Sequence, residues 1–179
     1  LEFRRVLFRS IDTLFPPDSR VISDYRWLEE HIGPLVPIEV VLGFSGDSPV
    51  PSAERLELLQ RVADRLGETV GTGSIMSAAL FLPDTPHGAG PLASARRRVL
   101  ARKLERSLVA IDDMKYIRNN EAGQFWRATG RISALRDVDY GTLLEQVRRD
   151  VEPIVAEAGG AARGISVACT GVMPLVHAI

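Results

Sequence analysis

Arg127, Thr129 and Arg131 stand at alternate positions of QFWRATGRIS, residues 124 to 133. Side chains of an extended chain point in turn to opposite faces, so the two guanidinium groups and the hydroxyl share one face and Trp126, Ala128 and Ile132 share the other. Such a polar row can line a substrate passage, contact another subdomain or simply meet water. These three residues are the candidate site.

The other chemistry-bearing residues are scattered. His31, His87 and His177 have no second histidine, cysteine or carboxylate at ligand spacing, so no metal site is expected. Gly71-Thr-Gly73 and Gly159-Gly160 lack the phosphate-cradling patterns GxGxxG and GxxxxGK and are read as turns. Ser45 and Ser77 lack a GxSxG setting, and Glu29-Glu30 and Asp112-Asp113 are adjacent pairs whose side chains diverge on a helix. The lone Cys169 cannot form an intrachain disulfide, and beside Val167 it suits a small buried hydrophobe. The expectation is a chain with no catalytic residues, no cofactor and no metal.

Alternation over 124–133 sets one strand, and the elements around it follow from similar patterns. Tyr140 to Glu157 carries Leu144, Val147, Val151, Ile154 and Val155 at helical spacing, with Pro153 expected to kink or restart the helix. Ser166 to Gly171 returns as a short strand of small and β-branched residues. Earlier, IEVVLGF at 38–44 is a near-continuous apolar run between Pro37 and Ser45-Gly46-Asp47, which predicts a central strand buried on both faces. A helix capped by Ser52 follows, with Leu56, Leu59, Val62, Ala63 and Leu66 inward and Gly67 ending it. A glycine-punctuated strand is expected over 73–81, before a loop rich in proline and glycine. Asn119 to Gly123 reads as a turn.

Ser94 to Met114 sets Arg96, Arg97, Arg98, Arg102, Lys103 and Arg106 against Leu100, Leu104, Leu108 and Ile111, an amphipathic basic helix whose charged face reads as solvated. Near the start, Pro16-Pro17-Asp18-Ser19 opens an entry helix with the stripe Val21, Ile22, Tyr25, Leu28 and Ile32. The order strand, helix, strand, intervening helix, strand, helix, strand predicts an α+β fold of the ferredoxin-like, split β-α-β kind with one inserted basic amphipathic helix. Four strands near 38–44, 73–81, 124–133 and 165–171 would form one sheet, with helices 52–66 and 140–157 on the same face.

With 179 residues, the chain can bury one sizeable core. A formal net charge of -1 argues against a general nucleic-acid binder, and 45% hydrophobic with 25% charged residues is an ordinary globular composition. Leu1 to Ser10 lacks a starting methionine and a pattern joining it to the rest, and reads as adapter or cloning sequence. The remainder divides into an entry helix and linker at 11–35, a domain at 36–172, and an apolar run at 173–179 that reads as a cut-off beginning.

Several blocks together carry a resemblance. FPPDS at 15–19, WRATGRISALRDVDYGTLLEQV at 126–147, Pro153, and TGVMPLV at 170–176 resemble the first extracytoplasmic loop of a bacterial resistance-nodulation-division exporter of the MMPL-like branch. The resemblance implies a porter domain built of β-α-β units on the periplasmic side of the cell membrane, with 173–179 leading into a transmembrane helix. It further implies export of lipids, drugs or other amphiphiles driven by an ion gradient, commonly protons. The implied partners are the transmembrane bundle, a second porter domain, an amphiphilic substrate and a possible homo-oligomer, with no nucleic acid. The alternative is a free-standing ferredoxin-like binding or regulatory module.

Overall fold

The computed structural model describes residues 14–71, 75–81, 99 and 115–171. Helix α1 spans Arg20–His31, and Ser19 caps it by accepting from the Ile22 amide at 3.4 Å. Strand β1 (Val36–Ser45) leads to helix α2 (Ser52–Val70) and the two-residue strand β2 (Met76–Ser77), followed by a 3-10 turn at Ala78–Phe81. A hairpin of β3 (Ile117–Asn120) and β4 (Gly123–Ile132) precedes helix α3 (Tyr140–Glu157) and strand β5 (Ile165–Gly171). The protein is α+β.

All described strands join one antiparallel sheet in the order β2-β4-β1-β5, and β3 shares the outer edge of β4 with β2. β3 pairs with residues 123–126 and β2 with Thr129 and Ala128, while the Arg127 amide between them donates to the Tyr116 carbonyl at 2.9 Å. Helices α2 and α3 lie together on one face. They are tied by Arg61 to Glu157 at 2.5 Å and by the Thr69 hydroxyl to Asp150 at 2.7 Å.

Between that helix pair and the sheet sits the core. Ile38, Val40, Leu42 and Phe44 of β1 meet Trp126, Ala128 and Ile132 of β4 beneath Leu56, Leu59, Val62 and Leu66 of α2 and Val147, Val151 and Val155 of α3. The 124–133 alternation thus places Trp126 inward, at 0% exposure. Removing apolar side chains of this size from water is the dominant favourable contribution to the fold.

Several expectations are corrected. Among the described residues, helices cover the 38–44 strand on one face only: Glu39 and Val41 are partly exposed opposite the core row, since both described crossover helices pack on the other side. The 73–81 strand reduces, in its described part, to Met76–Ser77, because the Ser77 hydroxyl accepts from the Ala79 amide at 3.3 Å and the chain coils into the 3-10 turn. The 119–123 turn is narrower than expected, since Ile117–Asn120 is itself a strand and the loop is Glu121-Ala122. Ser52 is the first helical residue rather than the cap. Pro51 holds the cap position without a side-chain bond, and α2 runs past Gly67 to Gly71, whose φ of 70° closes it.

Pro153 does not restart α3, which continues through it to Glu157; Pro153 and Arg149 are both exposed, where water can take the carbonyl the proline leaves unbonded. In α1 the apolar stripe is only partly covered. Ile22 is buried, but Ile32 is 62% exposed. The basic segment 94–114, except for the exposed Val99, lies outside the described residues, as do 1–10 and 173–179.

Candidate functional site: the uncovered sheet face

Register fixes what the sheet shows on the side away from α2 and α3. Phe125, Arg127 and Thr129 of β4 stand opposite Gly43, Val41 and Glu39 of β1, which in turn stand opposite Ser166, Ala168 and Thr170 of β5. Across the other edge of β4, Met76 faces Thr129 and Arg118 faces Phe125. Side chains of paired strands at these positions share one face, so fourteen ångströms or so of sheet width carries a mixed surface of cations, hydroxyls and apolar groups.

At its centre is Glu39. Its carboxylate oxygen Oε1 accepts from Arg127 Nη1 at 3.2 Å and from the Thr129 hydroxyl at 3.4 Å. The Arg127 guanidinium also lies 5.5 Å from the centroid of the Tyr116 ring, close enough for the ring's negative face to attract it. Arg127 Nε is buried and has no hydrogen-bond partner among the described residues. Tyr116 in turn packs on Phe81, ring centroids 5.4 Å apart.

Of the three sequence candidates, two are brought together, Arg127 and Thr129, through a carboxylate absent from the sequence reading. Arg131 stands opposite Pro37 at the end of the row, exposed and without an ion-pair partner among the described residues. The signal for Glu39 was present in the sequence. A carboxylate inside IEVVLGF is an anomaly for a strand buried on both faces, and a charge there requires either a partner or an open face.

Phe125 is accommodated by Gly43. A Cβ built on Gly43 would collide with Ser166 Oγ and lie 3.2 Å from the Phe125 ring, so glycine here leaves both neighbours undisturbed. Among the described residues the face offers cation, carboxylate, hydroxyl and aromatic groups side by side, a set of groups able to hold a polar or partly apolar partner.

The remaining candidates have structural roles. Glu29 accepts from Ser133 Oγ and the Ala134 amide, each at 2.5 Å, and so fastens α1 to the end of β4. His31 stacks on Trp27 with centroids 4.3 Å apart, and its Nδ1 lies 2.7 Å from the Trp27 carbonyl oxygen. Cys169 packs against the core, where burial pushes its thiol pKa up and keeps it protonated at neutral pH. Tyr140, also buried, has its hydroxyl pKa raised first by burial and then by the Glu29 charge.

Among the described residues, no cluster of histidine, cysteine and carboxylate side chains could hold a metal, and no helix is long and apolar enough to cross a membrane. His87 and His177 lie outside the described residues. No known protein family, curated protein or solved structure matches this chain.

Proposed function

We propose that this chain is the extracytoplasmic porter domain of an ion-gradient-driven exporter of the resistance-nodulation-division superfamily, MMPL-like branch, and that its uncovered sheet face meets a neighbouring subdomain or an amphiphilic substrate. The observation that carries the reading is that face: a sheet covered by helices on one side and presenting Arg127, Glu39, Thr129, Tyr116 and Phe125 on the other. The strand order β2-β4-β1-β5, with a helix following β1 and another following β4, supports the reading as a ferredoxin-like split β-α-β domain. Such a unit has one face free to be apposed to another. Its mixture of charge and aromatic area suits a ligand with both a polar head and an apolar body.

Labelling and transport by the intact gene product test this. With Cys169→Ala as background, Arg131→Cys should react with a membrane-impermeant maleimide in intact spheroplasts, and efflux of a fluorescent amphiphile should stop when a protonophore collapses the gradient. Labelling only after the membrane is lysed would exclude an extracytoplasmic domain. Efflux indifferent to ion gradients would exclude the coupling.

A further inference from the structure

β5 is the last strand of the sheet on its side, paired with β1 and with no other described strand. The Ser45 amide donates to the Gly164 carbonyl at 2.9 Å, which makes Ser45 and Gly164 a hydrogen-bonded pair and fixes the alternation along the ladder. Ser166, Ala168 and Thr170 therefore turn their amides and carbonyls toward β1. Ile165, Val167, Cys169 and Gly171 turn theirs outward. The same count along β1 and β4 requires the Arg127 amide to point away from β1, as its bond to Tyr116 shows.

Edge strands of soluble domains are ordinarily blunted by a lysine, a proline, a bulge or a short length. ISVACTG has none of these: seven residues, no charge, no proline, and an unbroken register with β1. Its exposed side chains are small, Ser166 and Ala168. Beside it on α3 run Arg148 and Glu152, which are mutually 3.9 Å apart, largely exposed, and near enough for both charges to act on Cys169.

We propose that the outer edge of β5 is a pairing surface for the β5 of a second copy of this chain, antiparallel about a two-fold axis at Ala168. In that register Ile165 meets the second copy's Gly171 and Val167 meets its Cys169, and each pair exchanges two bonds, giving about eight across the junction. Every outward backbone group of the strand is then satisfied. A two-fold needs a self-complementary patch, and the edge provides one in charge as well as in hydrogen bonds. Because Arg148 and Glu152 both lie close to Cys169, beside the axis, reversing α3 about that axis offers each copy's cation to the other's carboxylate. An unrelated strand would satisfy the backbone but would not supply that reciprocal charge pair.

The outer edge of β5 points away from β1, the strand that carries Glu39, and the inference stands whether or not the chain is part of an exporter. Ala168 faces its own copy across a non-hydrogen-bonded pair, where Cα atoms lie about 4.5 Å apart, within the range a disulfide spans. In a Cys169→Ala background, Ala168→Cys should therefore form a covalent dimer under mild oxidation, several-fold faster than Arg20→Cys on the exposed start of α1. Sedimentation of the unmodified chain should show a concentration-dependent dimer. Ala168→Lys, which sets two ammonium groups against each other at an exposed position, should raise the dimer Kd several-fold. Oxidation no faster at 168 than at 20, a monomer at all concentrations, or a dimer undiminished by Ala168→Lys would each overturn the assignment.

Discussion

Glu39 and Arg127 form an ion pair across β1 and β4 at 3.2 Å, on the one face of the sheet that no described helix covers. Their side chains are 23% and 35% exposed, so water screens the pair only in part. Arg127 leans on Tyr116, and Glu39 also holds the Thr129 hydroxyl. The pair organises the surrounding face while leaving it accessible.

Glu39→Ala should cost about 1 kcal/mol, the upper part of the range for exposed pairs, because it strips Arg127 and Thr129 of their shared acceptor. Glu39→Gln keeps an acceptor and should cost less. Urea denaturation of both variants, compared with Arg127→Ala and the double variant, gives the coupling energy. A coupling of zero would mean that the pair contributes nothing to the face.

Trp126 and Arg131 belong to opposite faces of β4, and their truncations should differ accordingly. Trp126 is fully buried, edge-on to Phe44 at 6.3 Å, and its indole N–H donates to Gln124 Oε1 at 2.6 Å. Trp126→Ala should cost about 3–5 kcal/mol, and Arg131→Ala under about 0.5 kcal/mol. Far-ultraviolet circular dichroism during denaturation reads both without relying on the tryptophan. Equal stabilities would contradict the register.

How far the sequence discloses this structure depends on whether its signal is local. The period of two at 124–133 suffices to bury Trp126 and to expose the Arg127 row, because each residue's face depends only on its neighbours. Whether Val41 and Gly43 are covered depends instead on where helices nearly a hundred residues apart come to lie, and the apolar run alone does not distinguish one covered face from two. Asn119 and Asn120 read as turn sequence because asparagine is a turn former, and only pairing with Gln124 and Gly123 makes them strand. Glu39 was readable as an anomaly, but its partners were not, since Arg127 lies 88 residues away.

A second ion pair makes stability depend on pH. Arg163, just before β5, donates through Nη1 and Nη2 to the two carboxylate oxygens of Glu54 in the first turn of α2, the latter bond at 2.9 Å. These hydrogen bonds outweigh the effect of burial and hold the Glu54 pKa below its ordinary value of 4.5. A carboxylate with a depressed folded-state pKa contributes stability that is present above its unfolded pKa and is lost as pH falls through the folded value. Thermal midpoints of the parent and Glu54→Gln should thus differ by a constant amount above about pH 5.5 and converge only as the pH falls through the lowered folded-state pKa. A gap that widens with acidification would reverse the sign and exclude the pair as its source.

Close packing at Gly43 on the uncovered face yields a test of the fold that does not touch the buried core. A methyl group there would collide with Ser166 Oγ and lie 3.2 Å from the Phe125 ring. The serine hydroxyl can rotate away or be removed, which relieves the closer of the two contacts, while the Phe125 ring must give by a few tenths of an ångström. Gly43→Ala should cost about 1–3 kcal/mol, the usual range for forcing an extra carbon into an occupied space. Adding Ser166→Ala should restore part of that loss, although Ser166→Ala alone, at an exposed position, should change stability by less than about 0.5 kcal/mol. Additive effects of the two substitutions in chemical denaturation would show that Gly43 and Ser166 are not neighbours, and with that the pairing of β1 and β5 in this register would fall.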